Sequence, residues 1–412
     1  MTATPFQNRA AIWTSGRHGA QSGLLVAGLA ALAAALVWAC LAAALHAFGH
    51  DALTSAEDRF GTARTSEDLA AAGALAQRAL VGAPDSATPL RILGFIADRE
   101  GNLGAARTLM QAAGARSHRD LLTQAWLFDD AVRRDDYPTL FERADATLRL
   151  DDGMEPALYP SMIRAAADPR AMPSLLAHLE ARPPWRGDFL NAVAASADPA
   201  VSLTVLRALK QTSAPATDDE TGALVNRLVR DGDLGKAYAA WAALLPKGTL
   251  AHPGDLYDGD FAPAPGAAPF NWRLNADPAV VAERSQPPSG PAHALYVRYE
   301  PTEPIPLASQ MLLLPAGAYR LSGQVMFESS SQDGQLHWTL YCGGGWTDPL
   351  ADIAETGEAG AWRPFSMRFI VPSGAGCAAQ RLQLSGRAGE GFDSVGAWFT
   401  AFRVQRVGAG AR

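Results

Sequence analysis

The chain changes its hydrophobic pattern twice along its length. An uninterrupted apolar stretch occupies residues 23–48, and apolar residues recur at helical spacing from 51 to 250. Strict alternation of apolar and polar residues follows, in a part of the chain that is richer in Pro and Gly. The pattern predicts one long apolar helix, a helical domain over 51–250 and a β domain over 251–412.

The apolar stretch is long enough to cross a membrane. Residues 23–48 carry no charged side chain, and about 20 apolar residues span a hydrocarbon core of ~30 Å. Arg9 and Arg17 precede the stretch, so the positive-inside rule predicts a cytoplasmic tail over 1–22, a transmembrane helix over 23–48 and a periplasmic remainder. A cleaved signal peptide is one alternative, although its apolar region is normally shorter. A buried core helix is another, although it would carry a polar stripe.

The helical domain repeats a pattern of small residues. Leu69, Ala72 and Ala79 recur 34 residues later as Leu103, Ala106 and Ala113. Leu93-Gly94 and Gly101 mark the first helix of the second copy and its turn, and Pro84 ends the first copy. On these residues the domain resembles tetratricopeptide repeats, which implies a solenoid of helix pairs whose concave surface holds another protein. His118 stands where the next proline is expected, so a helical bundle without repeats is the alternative.

Four runs after residue 300 alternate strictly between apolar and polar residues. Their apolar members are Tyr319, Leu321, Val325 and Phe327, then Leu336, Trp338 and Leu340, then Phe365, Met367 and Phe369, then Leu382 and Leu384. Period two at turn-separated intervals predicts an antiparallel β-sandwich whose core these residues form. A last strand over 397–407 is expected to add Trp398 and Phe402 to the same core.

The order of motifs in the β domain resembles that of carbohydrate-binding and galactose-binding-like modules. The motifs are 258–261, 269–272, 314–323, Trp362 with 365–372, and the last aromatic strand. The resemblance implies a jelly-roll-like β-sandwich, and it speaks for the fold better than for the ligand because one fold serves many functions. The expected fold class is therefore a multidomain chain, α then β: one transmembrane helix, a helical solenoid and a C-terminal antiparallel β-sandwich.

Two of the three cysteines lie in the predicted sandwich. Cys342 ends one predicted strand and Cys377 precedes another, so a disulfide between them would close a loop of about 35 residues. Such a bond requires an oxidising compartment, in agreement with export. Two unpaired buried thiols are the alternative.

Composition and charge narrow the possible functions. Hydrophobic residues make up 48% and charged residues 19%, as in a folded protein, and the formal net charge of −7 has the wrong sign for a general nucleic-acid binder. The sequence has no phosphate-binding glycine loop and no HExxH, GxSxG or CxxC motif, so we expect no catalytic residue, cofactor or metal centre. Asp255, Asp258 and Asp260 could ligate calcium, but a turn rich in Asp and Gly needs no metal.

One set of polar residues is a candidate ligand face. Alternation places Arg320, Gln324, His337, Tyr341, Arg381 and Gln383 opposite the core, and Trp346 follows a flexible run of glycines. Planar polar side chains beside an aromatic platform are typical of sugar-binding sites. A solvated sheet face has the same composition, and this alternative stays open.

These features together predict a scaffold or accessory protein of the bacterial cell envelope. We expect a single-pass inner-membrane protein with a non-catalytic periplasmic part that serves envelope or exopolysaccharide assembly, with a protein partner on the helical domain and a possible glycan on the sandwich. The alternative is a protein–protein assembly factor whose sandwich binds no glycan. A glycoside-modifying enzyme would need a pair of carboxylates in a cleft, which sequence alone does not locate.

Overall fold

The computed structural model describes residues 17–250, 256–300, 304–343, 349–387 and 394–407, without the side chains of 17–31, 42, 45, 46, 48, 332–334 and 375. The chain divides into two compact units, Met1–Asp152 and Gly153–Arg412. The first unit is helical where it is described. The second contains helices followed by strands, in agreement with the predicted order of α then β.

Capped helices build the first unit. They are α1 (Arg17–Thr62), α2 (Ser66–Gly82), α3 (Ala87–Arg99), α4 (Leu103–Arg116), α5 (Leu121–Arg133) and α6 (Tyr137–Leu148). At the start of α2, the Thr65 hydroxyl accepts the backbone N–H of Asp68 and the Asp68 carboxylate accepts that of Thr65. Asn102 and Asp120 cap α4 and α5 by accepting one backbone N–H each, which satisfies donors that a helix start leaves free.

Helix α1 covers the apolar stretch and continues past it. It runs without a break from Arg17 to Thr62, so residues 51–62 belong to the same helix as the apolar stretch. Among the described residues, no helix is both long enough and apolar enough to cross a membrane. The described side chains of the predicted transmembrane helix over 23–48 begin at Leu32. The prediction of that transmembrane helix is therefore unsupported by the structure.

Helices α3 and α4 form the hairpin that the second repeat copy predicts. Gly101 closes the turn with a φ of +76°, a conformation that glycine adopts without strain. Gly94 allows close approach, because a Cβ there would lie 3.0 Å from the Met110 side chain. Ala106 and Met110 are fully buried, whereas Leu103, a member of the repeated pattern, is 44% exposed. The hairpin is present, and its identity as a tetratricopeptide repeat stays a prediction.

The second unit begins with six helices in its described part. They are α7 (Glu155–Ala166), α8 (Met172–Glu180), α9 (Arg186–Ser196), α10 (Pro199–Leu209), α11 (Asp218–Arg230) and α12 (Leu234–Leu244). Aromatic side chains join the last helix to the segment that leads into the sheets. The Trp241 ring centroid lies 5.1 Å from that of Tyr257 and 5.6 Å from that of Phe270. Asp218 adds a hydrogen bond of 2.9 Å from the backbone N–H of Gly266, so α11 is held beside the strands.

The strands form two antiparallel sheets. They are β1 (Arg273–Leu274), β2 (Val281–Ser285), β3 (Ala294–Tyr299), β4 (Ile305–Leu312), β5 (Gly317–Phe327), β6 (Ser331–Cys342), β7 (Pro349–Gly357), β8 (Arg363–Val371), β9 (Gln380–Gly386) and β10 (Val395–Arg406). The first sheet has the order β1-β4-β9-β6-β7, and the second has the order β2-β3-β10-β5-β8. Their inner faces share one apolar core, so the predicted β-sandwich is confirmed.

The core contains the apolar residues that alternation assigned to it, with one exception. Trp338 is fully buried, and its ring meets Phe399 and Phe402 with centroids 5.5 and 4.8 Å apart. Trp398 was expected beside Phe402, but it lies on the outer face of the second sheet. A bulge in β10 causes the difference: Ala401 has a φ of +57°, and the pairing with β5 shifts between Thr400 and Arg403. The extra residue reverses the alternation, so Phe399 rather than Trp398 points inward.

Candidate functional site

The outer face of the first sheet brings four of the predicted ligand residues together. Strands β6 and β9 are neighbours, and their register places Tyr341 opposite Arg381, Thr339 opposite Gln383 and His337 opposite Ser385. Residues that face each other across an antiparallel pair share one side of the sheet. His337, Tyr341, Arg381 and Gln383 therefore lie on one face, on which Tyr341 and Arg381 are half-buried and His337 and Gln383 are buried.

The remaining predicted residues are elsewhere. Arg320 and Gln324 belong to β5 and so lie on the outer face of the second sheet, with the sandwich core between them and the other four. Trp346 lies outside the described residues. The expectation of one continuous ligand face is thus corrected to two opposite faces. Local alternation shows that a side chain points away from the core, but the sheet to which it belongs depends on strand order.

A hydrogen-bond network occupies one end of the first sheet's outer face. The Asp352 carboxylate accepts the Thr339 hydroxyl at 2.5 Å, lies 2.9 Å from His337 Nδ1 and accepts Arg387 Nη2 at 3.0 Å. Burial acts to raise the pKa of Asp352, but the hydrogen bonds from Thr339 and His337 outweigh it and lower that pKa. The Thr339 hydroxyl donates to the carboxylate and not to the imidazole. The trio therefore lacks the nucleophile–base contact of a hydrolytic triad.

A groove crosses the other end of this face. One cavity of about 420 Å³ is lined by Arg273 and Asn275 beside Ser309, Arg381 and Gln383. A second cavity of about 420 Å³ shares Arg273, Ser309 and Arg381 with the first, so the two adjoin. Such volumes lie within the range of about 300–1,000 Å³ that small-molecule sites occupy. We call the two cavities together the sheet groove.

An aromatic ring lies beside the sheet groove. Tyr341 is half-buried, and the guanidinium carbon of Arg381 lies 6.0 Å from its ring centroid. Burial lowers the pKa of Arg381; the neighbouring Tyr341 opposes this shift and the nearby Arg273 adds to it. Polar planar groups and an aromatic ring thus meet at one end of the face.

Sequence reasoning missed part of the sheet groove. Arg273 belongs to a strand of two residues, and Ser309 lies on β4, whose sequence does not alternate strictly between apolar and polar residues. Two residues are too few for a period of two to register. Arg273 directly follows Trp272 in the quoted motif 269–272, and this position was the only signal that could have indicated it.

The suspected calcium turn holds two carboxylates that arginines already neutralise. Asp258 lies 3.0 Å from Arg284 Nη2, and Asp260 lies 3.0 Å from Arg403 Nη2. Burial raises the pKa of Asp258 to about 6, although Arg284 acts against the shift. Asp255 lies outside the described residues. Within the described part of the chain, no group of three or more His, Cys, Asp or Glu residues is placed to hold a metal ion.

The predicted disulfide is confirmed. Cys342 at the end of β6 and Cys377 before β9 are bonded, with their Cα atoms 4.7 Å apart. The bond joins the segment after β6 to the segment before β9. It thus fixes the end of the face on which Tyr341 and Arg381 meet.

Comparisons with known proteins bear on the sandwich. No family model and no curated protein matches the chain. Among solved structures, a family 61 carbohydrate-binding module in complex with β-1,4-galactotriose is 22% identical, covers 39% of this chain and all of that chain, and has a TM-score of 0.24. The CBM22-1 xylan-binding domain from Paenibacillus barcinonensis is 16% identical, with coverage of 34% and 86% and a TM-score of 0.27. A C-terminal family 22 module of Clostridium thermocellum is 13% identical, with coverage of 40% and 100% and a TM-score of 0.27. The C-terminal β-sandwich resembles carbohydrate-binding modules.

Proposed function

We propose that the chain is a non-catalytic glycan-binding accessory protein of the bacterial cell envelope, serving exopolysaccharide or envelope assembly. The observation that carries the proposal is the sheet groove, where Arg381 and Gln383 lie side by side on β9 near the Tyr341 ring. Planar polar groups can hydrogen-bond sugar hydroxyls, and an aromatic ring offers the apolar face on which a sugar ring stacks.

Binding by the purified full chain to an array of bacterial polysaccharides tests the proposal. Gln383 is 5% exposed and its amide nitrogen donates to Ser385 Oγ at 2.7 Å, which leaves the amide oxygen for a sugar hydroxyl. We expect Gln383→Ala to weaken binding about two- to tenfold, since the hydrogen bond to that oxygen is lost. Gln324→Ala is the control on the outer face of the opposite sheet, where Gln324 is exposed whereas Gln383 is buried. Tyr341→Ala is likewise expected to weaken binding, with Tyr296→Ala on the second sheet as its control. Equal losses from a variant and its control would contradict the assignment of the face.

A parent chain that binds no glycan would favour the alternative, an assembly factor that uses the sandwich for protein contacts. The proposed protein partner is assigned to the helical part on the resemblance to tetratricopeptide repeats. Co-purification of that partner with a variant lacking the sandwich residues 256–412 would separate the two roles.

The proposal places the protein in the inner membrane with its C-terminal part in the periplasm. Its support is the charge-free apolar stretch 23–48, together with the exposure of large apolar side chains on α1 such as Trp38, at 76%. The full chain should then sediment with membranes, and a reporter enzyme active only in the periplasm should be active when fused after residue 412. Reporter activity in the cytoplasm would invert the proposed topology.

A further inference from the structure

Three guanidinium groups from three different elements line the sheet groove. Arg230 ends α11, Arg273 belongs to β1 and Arg381 to β9, and all three line the same cavity of about 420 Å³. Helix α11 and the two strands belong to one compact unit, so the residues of α11 that line the cavity are part of the site. The described residues that line the two adjoining cavities include no Asp or Glu.

Two of the three positive charges in the groove, those of Arg230 and Arg273, have no ion-pair partner among the described residues. Both side chains are exposed. Arg273 is close enough to Arg381 to contribute to the lowering of the pKa of Arg381. Like charges held together in a partly enclosed site repel each other, and an anion placed between them removes that repulsion.

The neutral groups of the groove narrow the class of anion. Ser309 and Gln383 lie among the arginines. Ser309 offers a hydroxyl, and Gln383, whose amide nitrogen donates to Ser385 Oγ at 2.7 Å, offers its amide oxygen; both suit sugar hydroxyls rather than a bare ion. A guanidinium presents two parallel N–H donors that match a carboxylate. The chain as a whole carries a net charge of −7, which disfavours a dense polyanion such as a nucleic acid.

We infer that the sheet groove binds a carboxylate-bearing oligosaccharide, with Arg273 and Arg381 on its carboxylates and Arg230 extending the site along α11. This inference rests on the proposed glycan-binding function and names the class of glycan. The arginines select acidic sugars, and the neutral side chains contact the hydroxyls.

The test compares sugars that differ only in charge. The probes are oligogalacturonate and oligoglucuronate, and the same oligosaccharides after their carboxyl groups are reduced to primary alcohols. We expect the full chain to bind at least one acidic probe at least about tenfold more tightly than its reduced form, and added salt to shrink the difference. Arg273→Gln should remove about tenfold of the affinity for the acidic probe and, with it, most of the preference for the acidic probe over its reduced form.

The controls separate the inference from the function on which it rests. Arg368→Gln removes an exposed arginine from β8 on the opposite face and should change the affinity for neither the acidic nor the reduced probe. If the chain binds neutral glycans but neither acidic probe in preference to its reduced form, the inference fails and the proposed function stands. If it binds no glycan at all, both fail. If a poly-glutamate peptide of similar length binds as tightly and depends equally on Arg273, the groove takes acidic peptides and the inference is overturned.

Discussion

Glu355 and Arg363 form an ion pair that joins the two sheets at one edge of the sandwich. Arg363 Nη2 lies 2.9 Å from Glu355 Oε2, and the Glu355 side chain is only 1% exposed. Strand β7 ends the first sheet and β8 ends the second, so the contact closes the edge where the two meet. Glu355 Oε1 is buried and has no hydrogen-bond partner among the described residues.

This pair predicts a pH dependence of stability. Burial raises the pKa of Glu355 from 4.5 to about 7, although Arg363 opposes the shift. Between those two values the folded chain binds the proton more tightly than the unfolded chain, so the free energy of unfolding should fall as pH rises through this window. Glu355→Gln should remove the part of this pH dependence that Glu355 causes. At pH 8 the variant should be as stable as the parent, or more stable by about 1–3 kcal/mol.

Thermal melts from pH 4 to pH 8 measure the effect of Glu355→Gln. The exposed Glu283 on β2 supplies the control, since Glu283→Gln should preserve the slope of the parent. Asp258, whose pKa burial raises to about 6, contributes in the same direction and leaves a residual slope. An unchanged slope in Glu355→Gln would mean that the carboxylate of Glu355 stays ionised throughout.

The sequence predicted the inward faces of the sandwich because those runs are long and locally regular. Phe365, Met367 and Phe369 alternate without interruption, and all three are buried as expected. Prediction failed where one residue breaks the period. The left-handed backbone at Ala401 reverses the side on which Trp398 lies, and an alanine gives no local sign of a bulge.

The candidate site was only partly predictable, because it depends on which strands become neighbours. Alternation alone predicts that the side chains of Arg381 and Tyr341 point away from the core. Their proximity to Arg273 depends on the strand order β1-β4-β9-β6, which alternation does not give. Arg320 has the same outward pattern and lies on the opposite sheet. Non-local pairing is determined by the packing of the whole core, and hydrophobic periodicity within one strand does not encode it.

The disulfide should contribute substantially to stability. Removing the bond between Cys342 and Cys377 opens a loop of 35 residues, which corresponds to about 3–4 kcal/mol in the chain-entropy description. Cys342→Ser and Cys377→Ser should therefore each lower the melting temperature, and the double variant should add little because each single change already removes the same bond. Two reactive thiols at these positions in the oxidised, folded parent would contradict the assignment.

Among the ion pairs of the helices in the second unit, we expect the pair of Arg186 to contribute most to the free energy of unfolding. Its guanidinium makes two contacts of 2.8 Å with Glu220 and donates to the carbonyl of Leu179, and it is 3% exposed. Arg186→Ala should cost about 3–5 kcal/mol, because it leaves the Glu220 carboxylate, which is only 11% exposed, without its charged partner. Chemical denaturation of the full chain provides the measurement.

Arg170→Ala is the matched control for Arg186→Ala. The Arg170 pair with Asp168 is closer, at 2.6 Å, but the Arg170 side chain is 69% exposed. Water screens such a pair, so its loss should cost less than about 1 kcal/mol. Equal effects of the two substitutions would show that distance rather than burial governs these pairs.

Two tryptophans test the register of the sandwich: Trp338 points into the core from the first sheet, and Trp398 points outward from the second. Trp338 is fully buried and touches Trp272, with ring centroids 5.8 Å apart, whereas Trp398 lies on the outer face of the second sheet against Tyr296, with centroids 4.8 Å apart. Trp338→Ala should cost about 3–5 kcal/mol, because it leaves a cavity that the surrounding rings cannot fill. Trp398→Ala should cost about 1 kcal/mol, since it removes one aromatic contact at the surface. Thermal melting of both variants, followed by near-ultraviolet circular dichroism, measures the two losses of stability. A larger loss for Trp398→Ala than for Trp338→Ala would contradict the register that the bulge at Ala401 gives to β10.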